Sequence, residues 1–368
     1  MFATTNDQVS ACVLHQGIVI AARPDSSTPE SWMTVGVAIP SYLGANLITP
    51  TLQSLISQTH EDWFAVVVND GVEDGTCSAV ETIGDARIRY VCDGRHRGQF
   101  GNFNRAIIEV LKRDPAIVRL LCADDVLYPY ALSDMLRVFN CNPTVGLVST
   151  HYDGICANGQ YRFRVRMENR NDLVMSGRDY LWRGVAVGNA IGGPSCVGVR
   201  REAFDTAGLF DTRINHSGEA DLWHRIAAQW DVAWVGHRPG LQYRFHDASI
   251  TGRGKHSRAK FTDPIQIVRR VAATEPIGGW RWWIYQYTIG RLHSINLMLI
   301  GAMARRGNWD AVREALVASW QEGVFLYSFF WLPRIPWQLF QIVFGRPPAS
   351  RVLWRREHDR LQPHREPA

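Results

Sequence analysis

The chain has 368 residues, 46% hydrophobic and 20% charged, with a formal net charge of +5 and a pI near 8.9. That apolar content excludes an intrinsically disordered chain and allows one large or two modest domains, while the small positive excess favours an anionic ligand or surface and argues against nucleic acid as a partner. The seven cysteines, at 12, 77, 92, 122, 141, 156 and 196, include no CxxC pair, so neither a disulfide framework nor a zinc site is expected and a reducing cytoplasm fits.

Residues 1–31 hold one apolar patch, Val13 to Ala22, with no basic segment before it and with His15 and Gln16 inside it. It does not read as a signal peptide; a short strand or arm followed by the Ser/Thr/Pro linker Asp25–Ser31 is expected.

From Val35 short apolar runs alternate with amphipathic stretches. VGVAI (35–39), FAVVV (64–68), IRYV (88–91), IVRLLC (117–122) and VGLVS (145–149) predict strands. Leu52–Gln58, Asn102–Leu111 and Ala131–Phe139 predict helices between them. This is the pattern of a mostly parallel sheet covered by helices, and ligands of such sheets gather beyond the carboxyl ends of the strands. The segments expected there are PSY (40–42), NDGVEDGT (69–76), DGRHRGQ (93–99) and ADD (123–125), all polar, glycine-bearing or acidic. Asn158-Gly159 predicts a tight hairpin turn, since both residues accept positive φ. A helix starting near Gly218 is followed by further strands, VAWVG and LQYRFH, so the sheet is expected to be mixed at its far end.

After about Asp263 the chain becomes helical and rich in tryptophan. Its longest uncharged stretches, Ser294–Ala304, Gly323–Pro333 and Ile335–Gly345, are far shorter than the roughly 20 residues that a membrane-spanning helix needs. No transmembrane anchor is expected. Aromatic and basic residues together suit either ordinary packing or the headgroup region of a membrane.

The segment after the first strand, AIPSYLGAN, lacks the glycine fingerprint of a dinucleotide site, and there is no phosphate-binding P-loop. A sheet enzyme without such a cradle can neutralise phosphates with a cation held by carboxylates, which draws attention to Asp124 and Asp125. In a sharp turn at a strand end one of them can reach a metal while the other braces the loop; a turn or helix-capping pair is the plainer account.

Between about Met33 and Thr251 a set of motifs in order decides the matter: VGVAIPSY, LQSLISQTHEDWFAVVVNDGVEDGT, RGQFGNFNRAI, LLCADDVLYPYAL, GGPSCVGVRREAFDTAGLFD, GEADLWHRIA and YRFHDASIT. Each is weak alone, but the ordered set resembles the family 2 glycosyltransferases. The resemblance implies an α/β GT-A fold, a Rossmann-like mixed sheet flanked by helices, here with an aromatic-rich helical extension. It divides the chain into an arm (1–31), a catalytic domain (32–260) and a C-terminal helical region (261–368) that could meet a membrane. It implies an inverting transfer from a nucleoside-diphosphate sugar to a saccharide or lipid-linked saccharide at the cytoplasmic face, with Mg²⁺ or Mn²⁺, in cell-surface polysaccharide synthesis.

By matching position, Pro40, Tyr42, Asn69 and Asp70 would contact the nucleobase and ribose, and Gly98 and Asn104 would shape the next donor loop. The family commonly has Asp-Asp where this chain has Asn69-Asp70, and Asp-x-Asp-Asp where it has Cys122-Ala123-Asp124-Asp125. Asp124 is then the principal metal ligand, beside Asp125, with His246 of YRFH as a second and weaker metal affinity expected. The catalytic base falls on Glu219, with Asp221 in reserve; Ser217 is the expected cap of their helix. Arg200 and Arg201 could meet an acceptor phosphate, though paired or solvated arginines are the plainer reading, and His224 and Arg225 read as packing or surface residues. Because Cys122 and Gly218 replace customary acids, a catalytically inactive relative that binds nucleotide sugar or glycan is the alternative. A nucleotidyltransferase is disfavoured, since PSYLGAN offers no basic glycine-rich loop.

Overall fold

A run such as WFAVVVN offers water no polar side, and it is buried along its whole length as the strand Trp63–Asn69. The computed structural model describes residues 33–167, 171–187, 189–214, 216–246, 259–274, 279–305 and 307–321, with short strands at 14–15, 18–20 and 354–357. In chain order the strands are β1 (Leu14–His15), β2 (Ile18–Ile20), β3 (Val35–Ser41), β4 (Trp63–Asn69), β5 (Ile88–Cys92), β6 (Ile117–Leu120), β7 (Val126–Leu127), β8 (Val145–Thr150), β9 (Tyr152–Cys156), β10 (Tyr161–Met167), β11 (Leu173–Met175), β12 (Val197–Arg200), β13 (Asp231–Val235), β14 (Leu241–Phe245) and β15 (Trp354–Glu357). The helices are α1 (Ala45–Ile56), α2 (Thr76–Ile83), α3 (Gly98–Leu111), α4 (Ala131–Cys141), α5 (Gly177–Val187), α6 (Arg201–Ala207), α7 (Gly218–Ala227), α8 (Ala259–Thr274), α9 (Trp280–Arg305) and α10 (Trp309–Gln321).

The larger sheet has the order β1-β2-β11-β13-β8-β12-β6-β3-β4-β5. β3, β4, β5 and β6 run parallel, as do β8 and β13. β12 is antiparallel to both β6 and β8, so the two parallel blocks point the same way and share one carboxyl edge. The mixed character expected at the far end is present. Pro40 lies just beyond the stretch of β3 that pairs with β6, where its missing N–H costs that ladder nothing. α3 buries Phe100, Phe103, Ala106, Ile107 and Val110, one helical stripe, against β3 and β4.

A second sheet, β15-β10-β9-β14-β7, stands beside the first. Its β9–β10 hairpin turns at Asn158-Gly159 as expected, with Gly159 at φ 85°.

Ile265, Val268 and Val271 of α8 and Ile289 of α9 belong to the same core as the sheet, so the helical region continues that core. Phe261, Ile300, Met303, Val312 and Ala315 form a smaller cluster among α8, α9 and α10. No helix among the described residues is long and apolar enough to cross a membrane. Ser294–Ala304 lies within α9, while residues 323–345 lie outside the described part. Six of the seven cysteines are described, and all six are free thiols.

Candidate active site

Past β6 the chain makes a turn over Cys122–Asp125, closed by the Asp125 amide donating to the Cys122 carbonyl at 3.2 Å. Thr51 Oγ1 donates to the Ala123 carbonyl (2.9 Å), and the Cys122 amide donates to Ser195 Oγ (2.9 Å). β7 then pairs antiparallel with β14, Leu241 opposite Leu127 and Gln242 opposite Val126, so that the onward residues of β14 run back along the turn. The Arg244 amide donates to Asp125 Oδ1 and its guanidinium to the Asp124 carbonyl, both at 2.9 Å. Two residues further, His246 Nε2 lies 2.8 Å from Asp124 Oδ2.

The two carboxylates therefore have different surroundings. Asp125 is 1% exposed and braces the turn; burial, reinforced by the neighbouring Asp124 charge, holds its acid well above the usual carboxylate range. Asp124 is partly open to solvent. Beneath them Arg119 is fully buried, donating to the carbonyls of Leu120, Val197 and Ser195, and burial pushes its pKa down to about 10.

One donor atom from each of Cys122, Asp124 and Asp125 falls within 4.8 Å of the others, and Asp125 Oδ2 is buried without a hydrogen-bond partner. These three donors fit a divalent cation, and His246 Nε2 lies beside them against Asp124.

Across the same edge of the sheet, Asp70 follows β4 and is 2% exposed. Its carboxylate accepts from the amides of Arg97 (2.6 Å) and Gly98 (2.9 Å) and pairs with His96 Nδ1 (2.9 Å), fixing the start of α3. Gly98 begins that helix at φ 73°, a region that favours glycine. Asn69 is buried and donates to the Val72 carbonyl, Asp74 and the Tyr90 hydroxyl. Tyr42 is 47% exposed, its ring 5.0 Å from that of His96. Tyr42 is thus open to a ligand, while the polar atoms of Asn69 and Asp70 are directed largely at the protein. Asn104 exchanges two 2.9 Å hydrogen bonds with the backbone of Phe210, which anchors the segment leading into α7.

α7 ends close to the start of β13, an amino end of the sheet, so its own N-terminus lies at the carboxyl edge. Ser217 is the N-cap residue, but its side chain makes no capping bond, contrary to expectation. Glu219, in the first turn, is half-buried, and burial together with the Asp263 carboxylate of α8 pushes its pKa up to about 7. Asp221 is 2% exposed and accepts from Arg225 Nε (2.9 Å) and Arg270 Nη1 (2.8 Å).

Two contacts anchor α7, one on α3 and one on the segment that reaches the acidic turn. Phe100 of α3 lies so close to Gly218 that a Cβ there would meet its ring at 2.6 Å. Trp223 Nε1 donates to the Gly192 carbonyl (3.0 Å), three residues before the Ser195 that holds Cys122. Asp124 and Glu219 thus come from one edge of the sheet.

Arg200 donates to the carbonyls of Val145 and Phe139, and Arg201 pairs with Asp114 and Asp205, so both take the plainer reading. His224 is buried and Arg225 serves Asp221. The parts that sequence reasoning passed over are Asp263, Arg270 and Arg119. The first two come from α8, which lies after the last of the quoted motifs; Arg119 sits mid-strand, where a lone arginine in an apolar run was the available signal.

Residues 36–208 match the family model for glycosyl transferase family 2. An uncharacterized glycosyltransferase of Rickettsia prowazekii is 24% identical over 233 residues, covering 62% of this chain and 69% of its own. Staphylococcus aureus TarS 1–349 in complex with UDP-GlcNAc has a TM-score of 0.51 at 14% identity, covering 79% of this chain and 92% of that one. A mannosyltransferase from Pyrobaculum calidifontis in complex with GDP-Man and Mn²⁺ has a TM-score of 0.50 at 18% identity, covering 90% of both chains. At such identities the solved structures establish the shared fold, which is GT-A. Residues 36–208, from β3 through α6, are therefore a glycosyl transferase family 2 domain, and the chain is a glycosyltransferase of the GT-A type.

Proposed function

We propose that this glycosyltransferase inverts the anomeric centre as it moves a sugar from a nucleoside-diphosphate sugar to a hydroxyl of a saccharide acceptor. The observation that carries the reading is a half-buried Glu219, its pKa pushed up to about 7, at the sheet edge that also bears the Asp124–His246 pair. A carboxyl tuned to neutral pH is suited to accept a proton, whereas one bound by two guanidiniums, as at Asp221, is suited to hold a helix.

Glu219 takes the proton of the acceptor hydroxyl as that oxygen bonds to the anomeric carbon. The bond from that carbon to the diphosphate oxygen breaks, and its electron pair leaves on the diphosphate. One displacement from the opposite face inverts the centre, through an oxocarbenium-like transition state. Asp124 and His246, with Asp125 behind them, would hold Mg²⁺ or Mn²⁺, and the bound cation would supply neutralisation of charge on the departing diphosphate. Asp221 positions α7. Pro40, Tyr42, Asn69, Asp70 and Gly98 form the donor wall, with Tyr42 against the base. Two proteins of this fold carry UDP-GlcNAc and GDP-Man, which supports a nucleoside-diphosphate sugar as donor.

In this reading residues 1–31 are an arm, 32–260 the catalytic domain, and 261–368 a C-terminal region, helical over α8 to α10, that rests on the cytoplasmic face of the membrane, where a lipid-linked acceptor for cell-surface polysaccharide would be met. Exposed Trp282, Trp283 and Trp309 support that placement. The alternative, an inactive binder of nucleotide sugar or glycan, is motivated by Cys122 and Gly218 in place of acids. Incubation with a panel of UDP-, GDP- and dTDP-sugars and Mn²⁺ separates the two. Release of nucleoside diphosphate from one donor supports the enzyme; measurable binding with no release from any donor supports the binder.

A further inference from the structure

The geometry points to Cys122 as a thiolate ligand of the cation site, making that site selective for thiophilic divalent metals over Mg²⁺. This rests on the metal-binding reading above and adds to it the identity of a donor.

Three observations converge. The Cys122–Asp125 turn is closed by its own backbone hydrogen bond, and Sγ of Cys122 falls within 4.8 Å of the donor atoms of Asp124 and Asp125. Asp125, 1% exposed, keeps Oδ2 buried with no hydrogen-bond partner, an unpartnered oxygen in the same cluster. The strand that delivers His246 is registered antiparallel to β7, so Nε2 lies 2.8 Å from Asp124 Oδ2, beside the three-residue cluster. Sulfur with carboxylate oxygen, and a ring nitrogen beside them, suits a borderline metal.

Hard Mg²⁺ takes oxygen ligands and keeps its waters, whereas affinity for sites with nitrogen and sulfur rises from Mn²⁺ through Co²⁺ and Zn²⁺. Coordination deprotonates the thiol: the S–H bond breaks, the proton goes to solvent and the sulfur lone pair binds the cation. The Cys122 amide is fixed by Ser195 Oγ, so the side chain starts from an anchored backbone.

Co²⁺ is the probe, because a cobalt–thiolate bond gives a near-ultraviolet charge-transfer absorption. The full chain is titrated with Co²⁺ in the presence of UDP and of GDP, by absorption and by calorimetry. The band is expected in the native protein and in Cys196→Ser, the buried neighbouring thiol, and is expected to vanish in Cys122→Ser. Cys122→Ser should also weaken Co²⁺ by at least about 10-fold, with Mg²⁺ little changed, and Cys122→Asp should shift preference toward Mg²⁺. Co²⁺ binding that is lost in Asp124→Ala yet never shows the band, or a band that survives in Cys122→Ser, overturns the thiolate while leaving the cation site intact. No calorimetric binding of Co²⁺, Mn²⁺ or Mg²⁺ with either nucleotide overturns the cation site itself.

Discussion

His246 and Asp124 are 122 residues apart in the chain and 2.8 Å apart in space, brought together by the register of β14 on β7. If they hold the cation, Asp124→Ala removes the Mn²⁺-dependent part of the thermal shift produced by the preferred donor. His246→Ala weakens Mn²⁺ by about 10–100-fold in calorimetry, the scale seen when a supporting partner of a metal site is lost. Unchanged Mn²⁺ affinity in both variants would move the site elsewhere.

As the proposed base, Glu219 would set the acidic limb of the pH profile. Its pKa near 7 means that kcat/KM climbs as pH approaches 7 and levels off above it, since the base works deprotonated. Glu219→Gln is expected to lower kcat by about 10²–10⁴-fold. Asp263→Asn removes the charge that disfavours the Glu219 carboxylate, so the limb shifts to lower pH, though burial keeps it above the ordinary range. A limb that stays in place in Asp263→Asn would show that burial acts alone.

The same shift has a stability consequence. The folded pKa of Glu219 is raised from 4.5 to about 7, so as pH rises through this window the unfolded chain releases the proton first and stability falls. Glu219→Gln abolishes that loss. It is expected to melt higher than the native protein above pH 7 and to match it below pH 4.5, checked by thermal unfolding across pH.

Asp221→Asn tests the division of labour within α7. It leaves Arg225 and Arg270 with a neutral partner, and because both guanidiniums are partly exposed the cost is about 1–3 kcal/mol rather than that of a fully buried pair. The denaturant midpoint should fall while kcat changes less than about tenfold. A loss of kcat like that of Glu219→Gln, with stability unchanged, would make Asp221 the base.

Gly218→Ala places a methyl 2.6 Å from the Phe100 ring. Overpacking of this kind costs about 1–3 kcal/mol, and here it displaces the turn that carries Glu219. Reduced kcat is expected, with partial recovery in Gly218→Ala/Phe100→Leu; a fully active Gly218→Ala would show that α7 tolerates the shift.

Hydrophobic period and turn chemistry made most of the sheet legible, because a buried parallel strand such as β4 must be apolar throughout and Gly159 must supply a positive φ. Boundaries were less so: α3 starts four residues before the predicted Asn102, at a position set by the distant Asp70 carboxylate.

The sequence by itself determined the alternation of strands and helices, the carboxyl edge as the place of the site, and the chemical types gathered there. Tertiary structure decided what each group does. Asp124 and Asp125 are neighbours in sequence, yet one is partly open beside His246 and the other is sealed against Arg244. Glu219 and Asp221 share one helical turn, yet one is desolvated beside Asp263 and the other held by Arg225 and Arg270. Protonation and pairing depend on burial and on charges that approach from remote segments, and neither is written in local sequence.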